Sequence, residues 1–152
     1  MALRVVFDTT YFLPAFGIQI DLATPQTILD VIKQFVGKGN SIIVSDVTPL
    51  EAFLKAFSVA EKRRDEVGKN RAREGFLSLV NDPSIAVVSH QQRVVFEHAF
   101  KIRLKHRDPF DCFVFATALA ENALLISEDE SSLKYLRNDR IMKWAQFKNK
   151  IV

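Results

Sequence analysis

Residues 107–129, RDPFDCFVFATALAENALLISED, decide how this chain folds. Asp108 followed by Pro109 is a helix start. An acid at the N-cap accepts from the free amides of the first turn, and proline suits the first helical position, where its missing N–H would have gone unpaired. From Phe110 to Leu119 every residue except Asp111 is apolar or small. A helix that is apolar all round is buried on all sides, so this segment is expected to be the central helix of a domain. Asp111 stands in its first turn, where burying a carboxylate is costly unless something positive meets it. A short turn then leads into ALLIS, an apolar strand, which ends at Glu128 and Asp129. One helix–strand unit thus carries acids at both ends.

Working outward, the remaining segments repeat the alternation. LRVVF at 3–7 is a short apolar strand closed by Asp8, and 9–16 is an aromatic segment broken by Pro14 and Gly17. Thr24-Pro25 opens a helix with Ile28, Val31, Ile32 and Phe35 at helical spacing, closed by Gly37 and Gly39. SIIVS at 41–45 is a second strand, followed by Asp46. Thr48-Pro49 is expected to open the next helix, with Leu50, Phe53, Leu54 and Phe57 on one face; Thr48 and Glu51 have the spacing of a capping box. Residues 61–74 form a charged block, EKRRDEVGKNRARE, read as part of an exposed helical insert at 59–80 within a single domain of residues 1–152. A third strand at 85–88 follows the Asp82-Pro83 turn, and 91–105 reads as an amphipathic helix with Val94, Val95, His98 and Ile102 inward. Beyond the central unit, 130–137 reads as a short helix and 141–145 as a last strand. Continuously apolar strands alternating with helices predict an α/β domain whose mainly parallel sheet is covered on both faces.

Composition agrees. A chain of 152 residues, 48% hydrophobic and with 13 Phe, suits one packed core and excludes a disordered polymer. The formal charge of +3 permits a nucleic-acid partner without requiring one. The single cysteine, Cys112, lies in the apolar helix as a small core residue, which excludes an internal disulfide and fits a reducing compartment. No signal peptide and no bilayer-length apolar run is evident, so a soluble cytoplasmic protein is expected.

In open parallel sheets ligands bind outside the carboxyl ends of the strands. Asp8, Asp46 and the Glu128-Asp129 pair follow strands directly, while Glu51 and Asp111 stand early in helices, so carboxylates from distant positions should meet at one edge. Acids sharing a cleft need raised pKa values or a cation. His90, His98 and His106 are eight residues apart and lack cysteine partners, which gives no zinc set. Oxygen donors suit Mg²⁺ or Mn²⁺, ions able to activate a water and stabilise the leaving oxygen of a phosphodiester.

The series Asp8-Thr9, Glu51, Asp111 and Ser127-Glu128-Asp129 resembles the PIN-domain ribonucleases, and most closely the VapC-type toxins of toxin–antitoxin pairs. The resemblance spans essentially the whole chain. It implies a three-layer α/β/α sandwich and metal-dependent endonucleolytic cleavage of RNA, with Asp8, Glu51, Asp111 and Asp129 as catalytic and metal-binding acids. It also implies a homodimer and a small antitoxin partner. Thr9 and Ser127 are supporting hydroxyls, Ser127 standing where threonine is commoner, and Asp108 is either a cap or an outer group of the site.

Each residue also has a plainer reading. Asp108 and Asp111 alone would stabilise a helix start, Glu51 would complete the capping box, and Asp129 would open the following helix. The basic runs are commonly solvated faces. Of them Lys101, Arg103, Lys105, His106 and Arg107, leading into Asp108, form the better candidate for RNA phosphates. His98 reads as a core histidine. A phosphatase of the haloacid dehalogenase type would want an acid where Thr10 stands, and a receiver domain's acidic pair and lysine are not evident. The chief rival is a PIN fold that binds RNA or a partner without cleaving.

Overall fold

A computed structural model describes residues 1–151. Its strands are β1 (Arg4–Phe7), β2 (Ser41–Ser45), β3 (Ile85–Val88), β4 (Leu124–Ile126) and β5 (Ile141–Met142). They lie in the order β3-β2-β1-β4-β5, and every neighbouring pair is parallel. The chain steps outward from β1 to β2 and β3, then returns to the other side of β1 with β4 and β5. The order therefore reverses between β1 and β4, and their carboxyl ends flank the crevice that such a switch opens.

Strand residues alternate between two cores. Val5, Phe7, Ile42, Val44 and Ile126 face one layer, with a 3-10 segment (Thr9–Phe16), α1 (Pro25–Gly37), α2 (Val47–Lys62), α3 (Glu66–Val80) and α6 (Trp144–Ile151). Val6, Ile43 and Leu125 face the other, with α4 (Arg93–Arg103) and α5 (Pro109–Ala120). Both faces being covered is why the central strands carry no polar alternation. This is the three-layer α/β/α sandwich. α5 is the buried helix of its layer: Cys112 and Val114 to Ala118 are inaccessible, and Asn122 at φ +48° turns the chain back into β4.

Several boundaries differ from the sequence reading. α2 begins at Val47, with Asp46 in the cap position, so Thr48 is not the cap and no capping box forms. Its inward face is Thr48, Glu51, Ala52, Ala56 and Ala60, while Leu50 and Leu54 are exposed. On α4 the inward residues are Val95, Ala99 and Ile102; Val94 points outward and His98 is half-buried. Residues 130–137 give only a 3-10 turn (Glu130–Lys134), and the last strand stops at Met142 because Trp144 starts α6. β3 is an edge strand with Ala86 and Val87 exposed.

The charged block is helical, and its inner face is tightly seated. Asp65 caps α3 by accepting from the Gly68 amide at 2.9 Å, and Ala72, Gly75 and Leu79 turn inward. A Cβ on Gly75 would stand 2.8 Å from Phe16 Cγ and 3.0 Å from the Ala15 carbonyl oxygen. Gly75→Val is therefore expected to destabilise the fold by about 1–3 kcal/mol through overpacking. Gly37→Ala, where nothing lies within 4 Å, is the control and should not lower the melting temperature. Equal melting of Gly75→Val and wild type would refute this seating.

Candidate functional site

Asp8 leaves β1 with its amide donating to the Ile126 carbonyl at 3.0 Å, which fixes it beside the end of β4. Its carboxylate is 8% exposed, and accepts from the Thr9 amide and the Ser127 hydroxyl, each at 2.7 Å. Burial pushes its pKa up, and the negative charges of Glu51 and Asp129 add to that; the two hydrogen bonds oppose it. Ser127 also accepts from the Asp129 amide at 3.0 Å, so one hydroxyl ties the two strand ends together.

Of the acids after β4, Glu128 turns away. Its Oε1 accepts from Tyr11 Oη at 3.2 Å and from the Trp144 amide at 2.8 Å, clasping the aromatic core to α6. Asp129 faces the crevice, one oxygen accepting from the Ser131 amide at 2.8 Å as the cap of the short turn. The capping reading and the crevice position are thus both realised in one residue.

Asp111 enters from the first turn of α5. Its Oδ2 lies 3.0 Å from Nε2 of His106. Burial raises its pKa to about 6; the His106 contact works the other way, and the charges of Asp108, Asp8 and Asp129 raise it further. Asp108 is exposed and caps α5, accepting from the Phe110 and Asp111 amides at 2.9 and 3.3 Å. Asp46 lies apart from this group: its oxygens meet the His90 amide at 3.0 Å and His90 Nδ1 at 2.6 Å.

Glu51 reaches the crevice from α2. It is 3% exposed, close enough to Asp8 to raise that group's pKa, and its Oε2 lies 3.1 Å from the half-exposed Lys55 ammonium. The Thr9 and Thr48 hydroxyls are buried with no protein partner. A buried hydroxyl left unpaired is costly unless a water or ion shell supplies the bond.

One residue of this site, His106, stands in the sequence reading as part of the basic run for RNA phosphates and not as a partner of the acids. His106, Asp111 and Asp129 each place a ligand atom within 4.8 Å of the others. The spacing of the histidines gives no sign of this, because the partner of His106 is a carboxylate five residues on. The other basic residues before Asp108 are exposed, and the Arg103 guanidinium donates to the His106 carbonyl at 3.1 Å. Repelling carboxylates, one imidazole and unpaired hydroxyls fit a hydrated divalent ion better than an ion-free polar cluster.

The Asp111 shift predicts a pH dependence. An acid whose folded pKa is raised destabilises the fold above that pKa, and the penalty vanishes below its ordinary value. Without added ions, stability should therefore rise as pH falls from above about 6 toward 3.8. Asp111→Asn should remove much of that slope. Parallel melts in EDTA check this; equal slopes in both proteins would count against it.

Comparison with known proteins agrees with the geometry. No curated protein matches by sequence. Among solved structures, a chain of VapBC2 from Rickettsia felis, bound to a DNA fragment from its promoter, superposes with TM-score 0.60 at 17% identity, covering 93% of this chain and 99% of that one. DNA-bound VapBC from Salmonella typhimurium gives TM-score 0.61 at 15% identity, over 93% and 98%. A toxin–antitoxin complex from Klebsiella pneumoniae gives 0.52 at 16%, over 91% and 95%. At these identities the likeness is one of fold. The family model for the PIN domain matches residues 5–137, and with Asp8, Asp111 and Asp129 gathered at the switch between β1 and β4, the chain belongs to the PIN domain family, whose members are generally nucleases.

Proposed function

We propose that this protein is a metal-dependent endoribonuclease acting in the cytoplasm as the toxin of a toxin–antitoxin pair. The observation that carries the reading is the convergence of Asp8, Asp111 and Asp129 at the mouth of the crevice, close enough that the charge of Asp129 helps raise the pKa of Asp8, and the charges of Asp8 and Asp129 that of Asp111. Mg²⁺ or Mn²⁺ held there would supply a nucleophilic water and charge stabilisation for phosphodiester hydrolysis. Asp111 and Asp129 would hold the ion. Asp8, fixed by Thr9 and Ser127, keeps a rigid negative charge beside it. Glu51 approaches from the α2 side, where it would orient the attacking water. Lys101, Lys105 and Arg107, exposed on the approach to Asp108, draw the RNA backbone in, while Arg103 shapes the loop. The test is RNA cleavage by the purified protein with Mn²⁺, with EDTA and with Asp111→Asn side by side. RNA binding without cleavage in Mn²⁺ would favour the binding-only reading instead.

The antitoxin partner is supported by the fold neighbours, two of them VapBC structures and one a toxin–antitoxin complex. The outer face of α4 supports the dimer. It carries Phe96 and Phe100, with Leu104 just beyond, 52%, 55% and 70% exposed. This stripe lies opposite the buried Val95, Ala99 and Ile102. An apolar stripe on one helix is self-complementary about a two-fold axis, so a second copy covers it. Light scattering at micromolar concentration should give twice the 17.3 kDa chain mass, and Phe100→Glu should return it to the monomer. A monomeric wild type would remove the dimer.

A further inference from the structure

We infer that His106 is itself a metal ligand, making the site a mixed imidazole–carboxylate centre that takes Mn²⁺ in preference to Mg²⁺. The inference rests on the metal-dependent reading above and adds a donor to it. His106 Nε2 lies 3.0 Å from Asp111 Oδ2. Adjacent ligands of an octahedral ion with bonds of about 2.1 Å are separated by about 3.0 Å, so the pair already has the spacing of neighbours on one ion. The Asp129 oxygen completes a group spanning no more than 4.8 Å.

The ring is held for the task. It packs against Phe115 and Tyr135 with centroids 5.6 and 5.5 Å away, and the side chain is 14% exposed. Its backbone is fixed as well. The His106 amide donates to Ile102 at 2.9 Å, and its carbonyl accepts from Arg103 at 3.1 Å. A side chain so confined loses little entropy on binding an ion, whereas a solvated loop histidine would lose more.

Donor chemistry then sets the preference. Mg²⁺ favours oxygen ligands and keeps its waters, while later first-row divalent ions bind nitrogen progressively better. Replacing one oxygen ligand with an imidazole therefore moves the site away from Mg²⁺. The Asp46–His90 pair differs in having no third ligand group gathered beside it among the described residues, and in the largely apolar cavity between α1 and α3 the Asp82 carboxylate already accepts from Ser84.

The experiment is Mn²⁺ binding to the whole protein, followed by pulsed electron paramagnetic resonance, with Mg²⁺ as competitor. Nitrogen-14 coupling to bound Mn²⁺ is expected, together with an affinity for Mn²⁺ at least about tenfold above that for Mg²⁺. His106→Asn keeps a side chain able to hydrogen-bond Asp111. It should abolish the nitrogen coupling and weaken Mn²⁺ by about 10–100-fold, with little change for Mg²⁺. Bound Mn²⁺ without nitrogen coupling overturns the inference, as does a His106→Asn protein that keeps its preference. If binding is lost in Asp111→Asn but unchanged in His106→Asn, the metal site stands and the histidine ligand falls. If wild type binds neither ion, both fall. Should His106→Asn not fold, the wild-type spectrum alone decides.

Discussion

Asp111→Asn is expected to abolish RNA cleavage while raising the melting temperature in EDTA. The amide has the shape of the carboxylate and can still bond His106, so the start of α5 should be undisturbed. What it lacks is charge. In the ion-free protein that charge is a liability, because burial and the charges of Asp108, Asp8 and Asp129 push the pKa to about 6. Removing it relieves repulsion at neutral pH. For metal-assisted hydrolysis the same charge is needed, and its loss should lower the cleavage rate by about 10²–10⁴-fold, the range for a single well-placed charged or proton-transferring group. Mg²⁺ or Mn²⁺ should raise the wild-type melting temperature by binding only the folded form, and barely move the variant. Cleavage within tenfold of wild type by folded Asp111→Asn would take this residue out of the chemistry.

Glu51→Gln should cost cleavage nearly as much, for a different reason. Because Asp46 occupies the cap position of α2, Glu51 has no capping role for glutamine to preserve. The remaining structural role is the pair with Lys55, whose side chain is 53% exposed. Such pairs contribute about 0–1 kcal/mol, so the variant should melt within a few degrees of wild type or above it, since Asp8 loses a neighbouring negative charge. A group that orients a water on a divalent ion needs its full negative charge, and there glutamine fails. Lys55→Gln is the control, expected to keep cleavage within a few-fold. If the two variants cleave alike and near normally, Glu51 is only half of an ion pair and the binding-only reading gains ground.

The sequence made α5 legible because its burial is almost complete: an unbroken apolar run with one acid admits few placements. The strands were legible for the same reason, each filling two cores at once. The start of α2 was not, because Asp46 and Thr48 can both cap, and proline is tolerated anywhere in a first turn whose amides are unpaired. Pro49 therefore fixed no register. On α4 the sequence reading places Val95 and Ile102 inward correctly but adds Val94 and His98, which stand one residue before the inward Val95 and Ala99. With apolar Val94 and Phe96 on either side of Val95, periodicity leaves the centre of the buried stripe open by about one residue. His106 lies in the loop before α5, where there is no period to read, and its link to Asp111 and Asp129 is tertiary.

The Ser127–Asp8 hydrogen bond joins residues 119 positions apart, and β1 has no partner on that side until β4 arrives. Contacts of such sequence separation pay their loop-closure entropy before they return any energy, and form late. A chain still emerging during synthesis would hold Asp8 and Glu51 without Ser127 or Asp129. The crevice is therefore incomplete until nearly the whole chain has been made. Under the proposed function, an enzyme assembled in this order cannot cleave RNA as a nascent polypeptide, while its own message is still threaded beside it. Moving β4 and its acids to the front of the gene by circular permutation would remove that delay.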